Sequence, residues 1–242
     1  MTDRTLLGML TPSSNTILEP VSSAMVAGLP DVSVHFGRFR VTEISLGQAA
    51  LGQFDYEPML DAASLLADAK VQVICWNGTS ASWLGLGKDR DLCTAITDRT
   101  GVAATSSVLA LAEIFRLTGV ERFGLVTPYL DGIQEKIVPN FRAEGFDCVA
   151  ERHLGKKVNF SFSEVSAETL TSMVREVARA KPQAITILCT NLNGGPLVER
   201  LEQEIGIPIY DSVATAIWGS LRLAKADATR VRGWGRLFGE VG

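Results

Sequence analysis

This sequence is written twice. "GMLTP" at residues 8–12 returns as "GLVTP" at 124–128, an offset of 116. "LLADAKVQVICWNGTS" (65–80) lies over "EVARAKPQAITILCTN" (176–191) at an offset of 111, with Lys70 over Lys181. "GVAATSSVLALAEI" (101–114) lies over "GIPIYDSVATAIWG" (206–219) at an offset of 105. The offset shrinks stepwise, as differences in loop length make it, and the matches keep their order. Such self-similarity implies two copies of one supersecondary plan. Each copy reads strand, helix, strand, helix, strand, loop, helix, strand, helix. Alternation of helices with mostly apolar strands predicts parallel α/β sheets. The expectation is an α/β chain of two pseudo-symmetric parallel-sheet domains with the site in the cleft between them. The first half covers 1–115 and the second 116–210, the helix 211–225 returns to pack on the first half, and a tail follows over 226–242. One doubly wound domain with a coincidental motif match is the alternative.

Bulk properties narrow the function classes. At 242 residues with 46% hydrophobic and 21% charged residues, the chain is of ordinary globular composition with ample core. A net charge of -4 and a pI near 5.3 give no reason to expect nucleic acid or an anionic membrane as partner. No apolar run approaches the roughly 18 residues needed to span a bilayer. The N-terminal stretch moves directly from a charge pair into a strand-like run, so no signal peptide is expected and a cytoplasmic location is. Cysteines at 75, 93, 148 and 189 show no metal-type spacing, and reduced thiols are the simplest reading.

The repeat separates one cysteine from the others. At the offset of 111, Gly78 sits over Cys189, Thr79 over Thr190 and Ser80 over Asn191. Cys75 falls on Thr186, inside the strand. Ligands of open α/β sheets bind beyond the carboxyl ends of the strands, so both tips should meet in one cleft. Cys189 is the reactive candidate and Gly78 its vacant mirror position. Four strand-end loops supply the other groups: "TPSSNT" (11–16) offers Ser13, Ser14 and Asn15; "NGTSAS" (77–82) offers Thr79 and Ser80; "TPYLDG" (127–132) offers Tyr129; "CTNLNGG" (189–195) offers Cys189, Thr190 and Asn191. Neutral hydroxyls, amides and helix N-termini bind carboxylates without fixed positive charge. A thiol beside a helix N-terminus is expected to have its pKa lowered and to serve as proton donor or acceptor.

Plainer roles compete for the same residues. Ser13, Ser14 and Asn15 are favoured helix caps, and Asn193-Gly194-Gly195-Pro196 is a turn before a helix. Cys75, Cys93 and Cys148 read as small buried hydrophobes. His35 and His153 lie on strand-like stretches with nothing to mark them as catalytic. Arg38 and Arg40 share one face of an edge strand, from which one guanidinium could approach a carboxylate. "GLG" at 85–87 lacks the dinucleotide fingerprint. The basic, glycine-broken "RVRGWGR" (230–236) reads as a surface extension or an oligomer contact.

Across nearly its whole length the chain resembles the aspartate/glutamate racemase superfamily. "MLTPSSNTILEP", "TPY" and the two tips are most similar to the branch of maleate cis-trans isomerases and arylmalonate decarboxylases. The resemblance implies two pseudo-symmetric α/β domains and cofactor-free chemistry, without metal, beside a carboxylate. Racemases and maleate isomerases carry a cysteine at both tips; arylmalonate decarboxylases have glycine, threonine and serine at the first and keep only the second cysteine. Gly78-Thr79-Ser80 with Cys189 follows the decarboxylase pattern, and Tyr129 matches the tyrosine that joins that Thr-Ser pair in a dioxyanion hole. Asn15 and Asn159 instead resemble the carboxylate-binding asparagines of maleate isomerases. The implied activity is decarboxylation of a malonate-type diacid through an enediolate that Cys189 protonates, with a small carboxylic or dicarboxylic acid as partner. A two-cysteine isomerase or racemase using Cys75 and a non-catalytic carboxylate binder are the alternatives, and the oligomeric state stays open.

Overall fold

The computed structural model describes residues 4–241; the outer ends of the 1–115 half and of the 226–242 tail lie outside the described residues. The first half runs β1 (Thr5–Pro12), α1 (Leu18–Val26), β2 (Val32–Phe39), α2 (Gln48–Leu51), α3 (Tyr56–Asp68), β3 (Val73–Trp76), α4 (Ala81–Leu84), α5 (Leu86–Thr100), β4 (Ala103–Ser106) and α6 (Ser107–Thr118). The second runs β5 (Arg122–Thr127), α7 (Asp131–Ala143), β6 (Asp147–His153), α8 (Ala167–Ala178), β7 (Ala184–Ile187), α9 (Val198–Ile205), β8 (Ile209–Asp211) and α10 (Ser212–Leu223), with the short α11 (Leu237–Glu240) after it. Each half builds a four-stranded sheet, β2-β1-β3-β4 and β6-β5-β7-β8, parallel throughout. This is the two-sheet α/β architecture expected from the repeat.

The two copies agree in local chemistry as well as in plan. Gly8 pairs with Ile74 in the first sheet and Gly124 with Ile185 in the second. Lys70 and Lys181, aligned by the repeat, both turn the chain at positive φ, 55° and 50°, a conformation uncommon for a non-glycine residue. Directly after them the Gln72 side-chain carbonyl accepts from the Leu6 N–H, and that of Gln183 from the Arg122 N–H. α5 and α9 end on left-handed glycines, Gly101 and Gly206, the cheapest residues for that conformation. α6 and α10 begin on side-chain caps, Ser106 accepting from the Leu109 N–H and Asp211 from the Val213 and Ala214 N–H groups.

α6 and α10 join the halves. α10 packs on α6 and on β3 and β4 of the first sheet. Phe115 of α6 sets its ring against Phe123 of β5 and Tyr210 of β8, with centroids 5.3 and 6.0 Å away. The two helix starts meet: the Ser107 hydroxyl donates to the carbonyl of Ser212, its counterpart in the repeat, and the Thr215 hydroxyl donates to the Ser107 carbonyl. Residues 230–236 run mostly along the surface, as expected, but are anchored to the fold. Val231 is buried, the Arg236 N–H donates to Glu202 Oε2 at 2.8 Å, and farther on the Trp218 indole N–H donates to the Val241 carbonyl. Apolar residues at 231, 237, 238 and 241 bring this segment back to the core, and Arg230 pairs with Asp31 of the first half. No helix among the described residues is long and apolar enough to cross a membrane.

Candidate active site

All four loops end at the carboxyl edges of the central strands, so parallel pairing alone brings them together. Pro12, Trp76, Gly78, Thr79, Ser80, Trp83, Tyr129, Asn159, Cys189 and Thr190 line one narrow, partly open cavity of about 20 Å³, with Val41, Ile44 and Phe54 completing its wall. A larger cavity of about 680 Å³ lies between the starts of α3 and α5, does not include the thiol in its lining, and shares only Phe54 and Ser80 with the first. Chemistry, not size, marks the smaller one. It holds the tip thiol and a concentration of hydroxyl groups, and Phe54 with Ser80 forms the partition toward the larger space.

Tyr129 is buried between the rings of Trp83 and Phe162, both edge-on at 5.1 and 5.7 Å. Its hydroxyl and that of Thr79 share a hydrogen bond of 2.6 Å. Ser80 accepts a hydrogen bond from the Trp76 indole N–H at 3.2 Å, which leaves its own proton free to donate. Among the described residues no protein group accepts from the backbone N–H groups of Gly78, Thr79, Ser80 or, across the cleft, Thr190. The cavity therefore faces a set of donors and no fixed cation.

Cys189 is 3% exposed. Burial pushes its thiol up to about 11, against the pull of the Asn191 N–H at 3.4 Å and of the Tyr129 hydroxyl. This reverses the lowered pKa expected from a helix N-terminus. The segment after Cys189 is a turn, a single 3-10 turn follows at Gly195–Leu197, and α9 begins only at Val198, so no helix dipole reaches the sulfur while burial removes its water. At neutral pH the group is a protonated thiol. Cys75 lies on the other face of its strand, fully buried beside Ser220 of α10 and Asp89 of α5, and is pushed up to about 12 by burial. It does not line the cavity. Cys93 is buried and Cys148 is half-buried on β6, donating to the Ala150 carbonyl.

The asparagines act between the halves. Asn15 donates to Thr190 Oγ1 at 3.2 Å, while its Oδ1 accepts from the Ile17 and Leu18 N–H groups at the start of α1. Asn191 returns the exchange, accepting from the Thr16 N–H at 3.0 Å and donating to the Asn159 carbonyl at 2.7 Å. Asn159, on the cavity wall, donates to Ser14 Oγ at 2.8 Å. Ser13 accepts from the Val41 N–H and so fixes a wall residue without entering the cavity itself. Arg38 holds the loop from outside through the Ser13 and Asn15 carbonyls. His35 and His153 lie on β2 and β6 and contribute nothing to the cavity wall.

The tip at Gly78 carries no side chain, and the space a Cβ there would take is filled by the Trp76 ring. Trp76 escaped the sequence reading because it looks like the last apolar residue of a buried strand. The available signal was the repeat itself, which sets this tryptophan over Ile187 two residues before the tip.

Comparison with known proteins places the chain as a whole. The family model described as arylmalonate decarboxylase matches residues 16–238. The arylmalonate decarboxylase of Bordetella bronchiseptica is 26% identical over 239 residues, covering 97% of this chain and 96% of its own length. The maleate isomerase of Nocardia farcinica is 29% identical over 242 residues, covering 96% and 94%. A solved structure of the maleate cis-trans isomerase from that organism, a cysteine-to-serine variant with a covalently bound succinylcysteine intermediate, superposes with a TM-score of 0.88 at 27% identity over 97% of this chain and 98% of that one. With two matched sheets and a match spanning nearly its whole length, the chain belongs to the arylmalonate decarboxylase family, in the branch of the aspartate/glutamate racemase superfamily that also holds the maleate isomerases.

Proposed function

We propose that this enzyme, a lyase or isomerase by its kinship, is a cofactor-independent decarboxylase of a malonate-type diacid, with Cys189 as its one proton donor. The observation that carries the reading is the pairing of one cavity-lining thiol with a glycine at the mirror tip, while the Cys75 sulfur is turned toward Ser220. A two-base isomerase or racemase needs a thiol on each side of the substrate.

The chemistry follows from the wall. One carboxylate of the diacid accepts hydrogen bonds from Ser80, from the one hydroxyl of the Thr79–Tyr129 pair whose proton is not spent between them, and from the amides of the first tip. When the bond from the α-carbon to the other carboxylate breaks, its electron pair moves into the retained carboxylate and CO₂ departs. The enediolate so formed carries extra charge on the oxygens that those donors face, and one such donor is typically worth about 100- to 1000-fold in rate. The α-carbon then takes the proton from the Cys189 sulfur, and the thiolate left behind is reprotonated from water. A thiol held near 11 is protonated when the enediolate appears, and its thiolate is basic enough to recover the proton. Thr190, oriented by Asn15, and the Asn159 side chain face the same space, which makes the seat of the departing carboxylate more polar than a purely apolar wall.

The test is a screen of 2-aryl and 2-alkyl malonates, maleate and free amino acids, following CO₂ release, fumarate formation and optical rotation in parallel. CO₂ from a malonate is the expected result. Fumarate from maleate, with no CO₂ from any malonate, overturns the reading in favour of the isomerase, and binding without turnover favours a carboxylate-binding protein.

A further inference from the structure

The residue that fills the mirror position has a chemistry of its own. An ideal Cβ on Gly78 falls 2.2 Å from Cζ2 and 2.4 Å from Cη2 of Trp76, distances at which a side chain and an aromatic ring do not coexist. The indole is 1% exposed and braced by the Phe39 ring, 5.2 Å away between centroids. It lines the cavity with Gly78 and Cys189. At the corresponding point of the second half stands Ile187. The halves thus differ by a linked pair of residues: tryptophan and glycine over 76 and 78, isoleucine and cysteine over 187 and 189. Trp76 comes with the first tip and Cys189 with the second, so the indole and the thiol line the cavity from different halves. An indole offers neither acid nor base near neutral pH, and its N–H is already given to Ser80 Oγ.

We propose that Trp76 determines the specificity of the site: its ring closes the face of the bound acid opposite Cys189 to every proton donor, and its N–H turns the Ser80 proton toward the bound carboxylate. Gly78 is then a consequence of Trp76, and a thiol can be installed on this side only after the indole is removed. The stereochemical half of this inference rests on the decarboxylase reading; the steric half does not.

Four variants test it: Gly78→Cys, Trp76→Ile, the Trp76→Ile/Gly78→Cys double variant and Trp76→Phe. The first measurement is thermal unfolding, which needs no substrate. Gly78→Cys should lower Tm by about 4–10 °C, as overpacking does in a chain of this size, and by less than half as much when Trp76 is already isoleucine. Equal shifts in both backgrounds would mean that the two positions do not share space, and the proposal fails. The second measurement uses 2-methyl-2-phenylmalonate and its chiral product, 2-phenylpropionate, in D₂O with chiral chromatography and mass detection. The double variant should racemise enantiopure product with deuterium uptake at least about tenfold faster than Gly78→Cys alone. Trp76→Phe, which keeps a ring but loses the N–H, should keep one product configuration while kcat falls about tenfold with KM little changed. Racemisation by Gly78→Cys as fast as by the double variant contradicts a guarding role, and an unchanged kcat in Trp76→Phe contradicts the orienting role. If the parent enzyme releases no CO₂ from this acid or any other malonate, the decarboxylase reading fails together with the stereochemical half, and the Tm coupling still decides the steric half.

Discussion

Cys189 and Cys75 show how little the residue type says without its surroundings. Both are buried thiols raised far above the ordinary range, to about 11 and about 12. Only Cys189 lies on the cavity wall, and there a high pKa suits a proton donor. Cys189→Ala should lose at least about 100-fold in turnover, the usual cost of removing a positioned acid, with an unchanged circular dichroism spectrum. Retention of more than about a tenth of the activity would remove Cys189 from its role. Cys75→Ala should leave turnover within a few-fold of the parent, because its sulfur faces Ser220. The same thiol sets a pH profile: kcat should be level from about pH 7 to 9 and fall only as Cys189 ionises near 11. An alkaline limb centred near pH 8 would mean a thiol in contact with water. Cys189 was legible from the sequence because the repeat puts it at a loop tip. Its raised pKa was not, since the thiol is buried beside Tyr129, which arrives from another segment and is itself packed between Trp83 and Phe162. The Asn191–Asn159–Ser14 chain was hidden for the same reason, joining residues 32 and 145 positions apart.

Strands and helices were the most readable level, because the two copies cross-check each other. The alignment of Lys70 with Lys181 marks one turn twice, and both residues adopt positive φ. What pattern could not supply is how closely elements approach. α6 and α10 cross so tightly that a Cβ on Gly219 would lie 2.8 Å from the Ala110 Cβ. Two effects oppose each other at this position. Alanine is about 1 kcal/mol better than glycine inside a helix, whereas overpacking a rigid contact costs about 1–3 kcal/mol. The obstructing atom is attached directly to the α6 backbone and cannot swing away, so the second effect prevails. Gly219→Ala should lower the urea midpoint, corresponding to a net loss of about 1 kcal/mol, and an increase in the midpoint would mean that the helices are free to separate. The tail shows the same limit of pattern: residues 230–236 lie mostly at the surface, but how they are fastened is not in their composition. Its charges and glycines suggest solvent, yet Gly235 takes φ of 88° and lets the chain lie against Val198 and Glu202.

Across the whole molecule, the pseudo-twofold creates a cleft whose two sides are no longer chemically equal, and buried carboxyls lie behind each. Asp89 and Asp211 are both raised to about 7 by burial. A carboxyl whose folded pKa lies above its unfolded value favours folding least where it must ionise. The penalty therefore grows as pH rises from about 4 and levels off above about 7. Asp211→Asn keeps a side-chain carbonyl to accept from Val213 and Ala214, so its stability relative to the parent should rise between pH 5 and pH 8, by up to about 2 kcal/mol at roughly 1.4 kcal/mol per pH unit. A difference independent of pH in urea titrations would show that Asp211 is ionised throughout. For function the inequality of the two sides matters more: a donor on one wall and an indole on the other imply protonation from one direction. The measurement that tests this most directly is the configuration of 2-phenylpropionate formed from 2-methyl-2-phenylmalonate in D₂O. The account predicts a single enantiomer with one deuterium at the α-carbon and no further exchange on prolonged incubation. Racemic product, or an enantiopure product that loses its configuration in the presence of the enzyme, would contradict it.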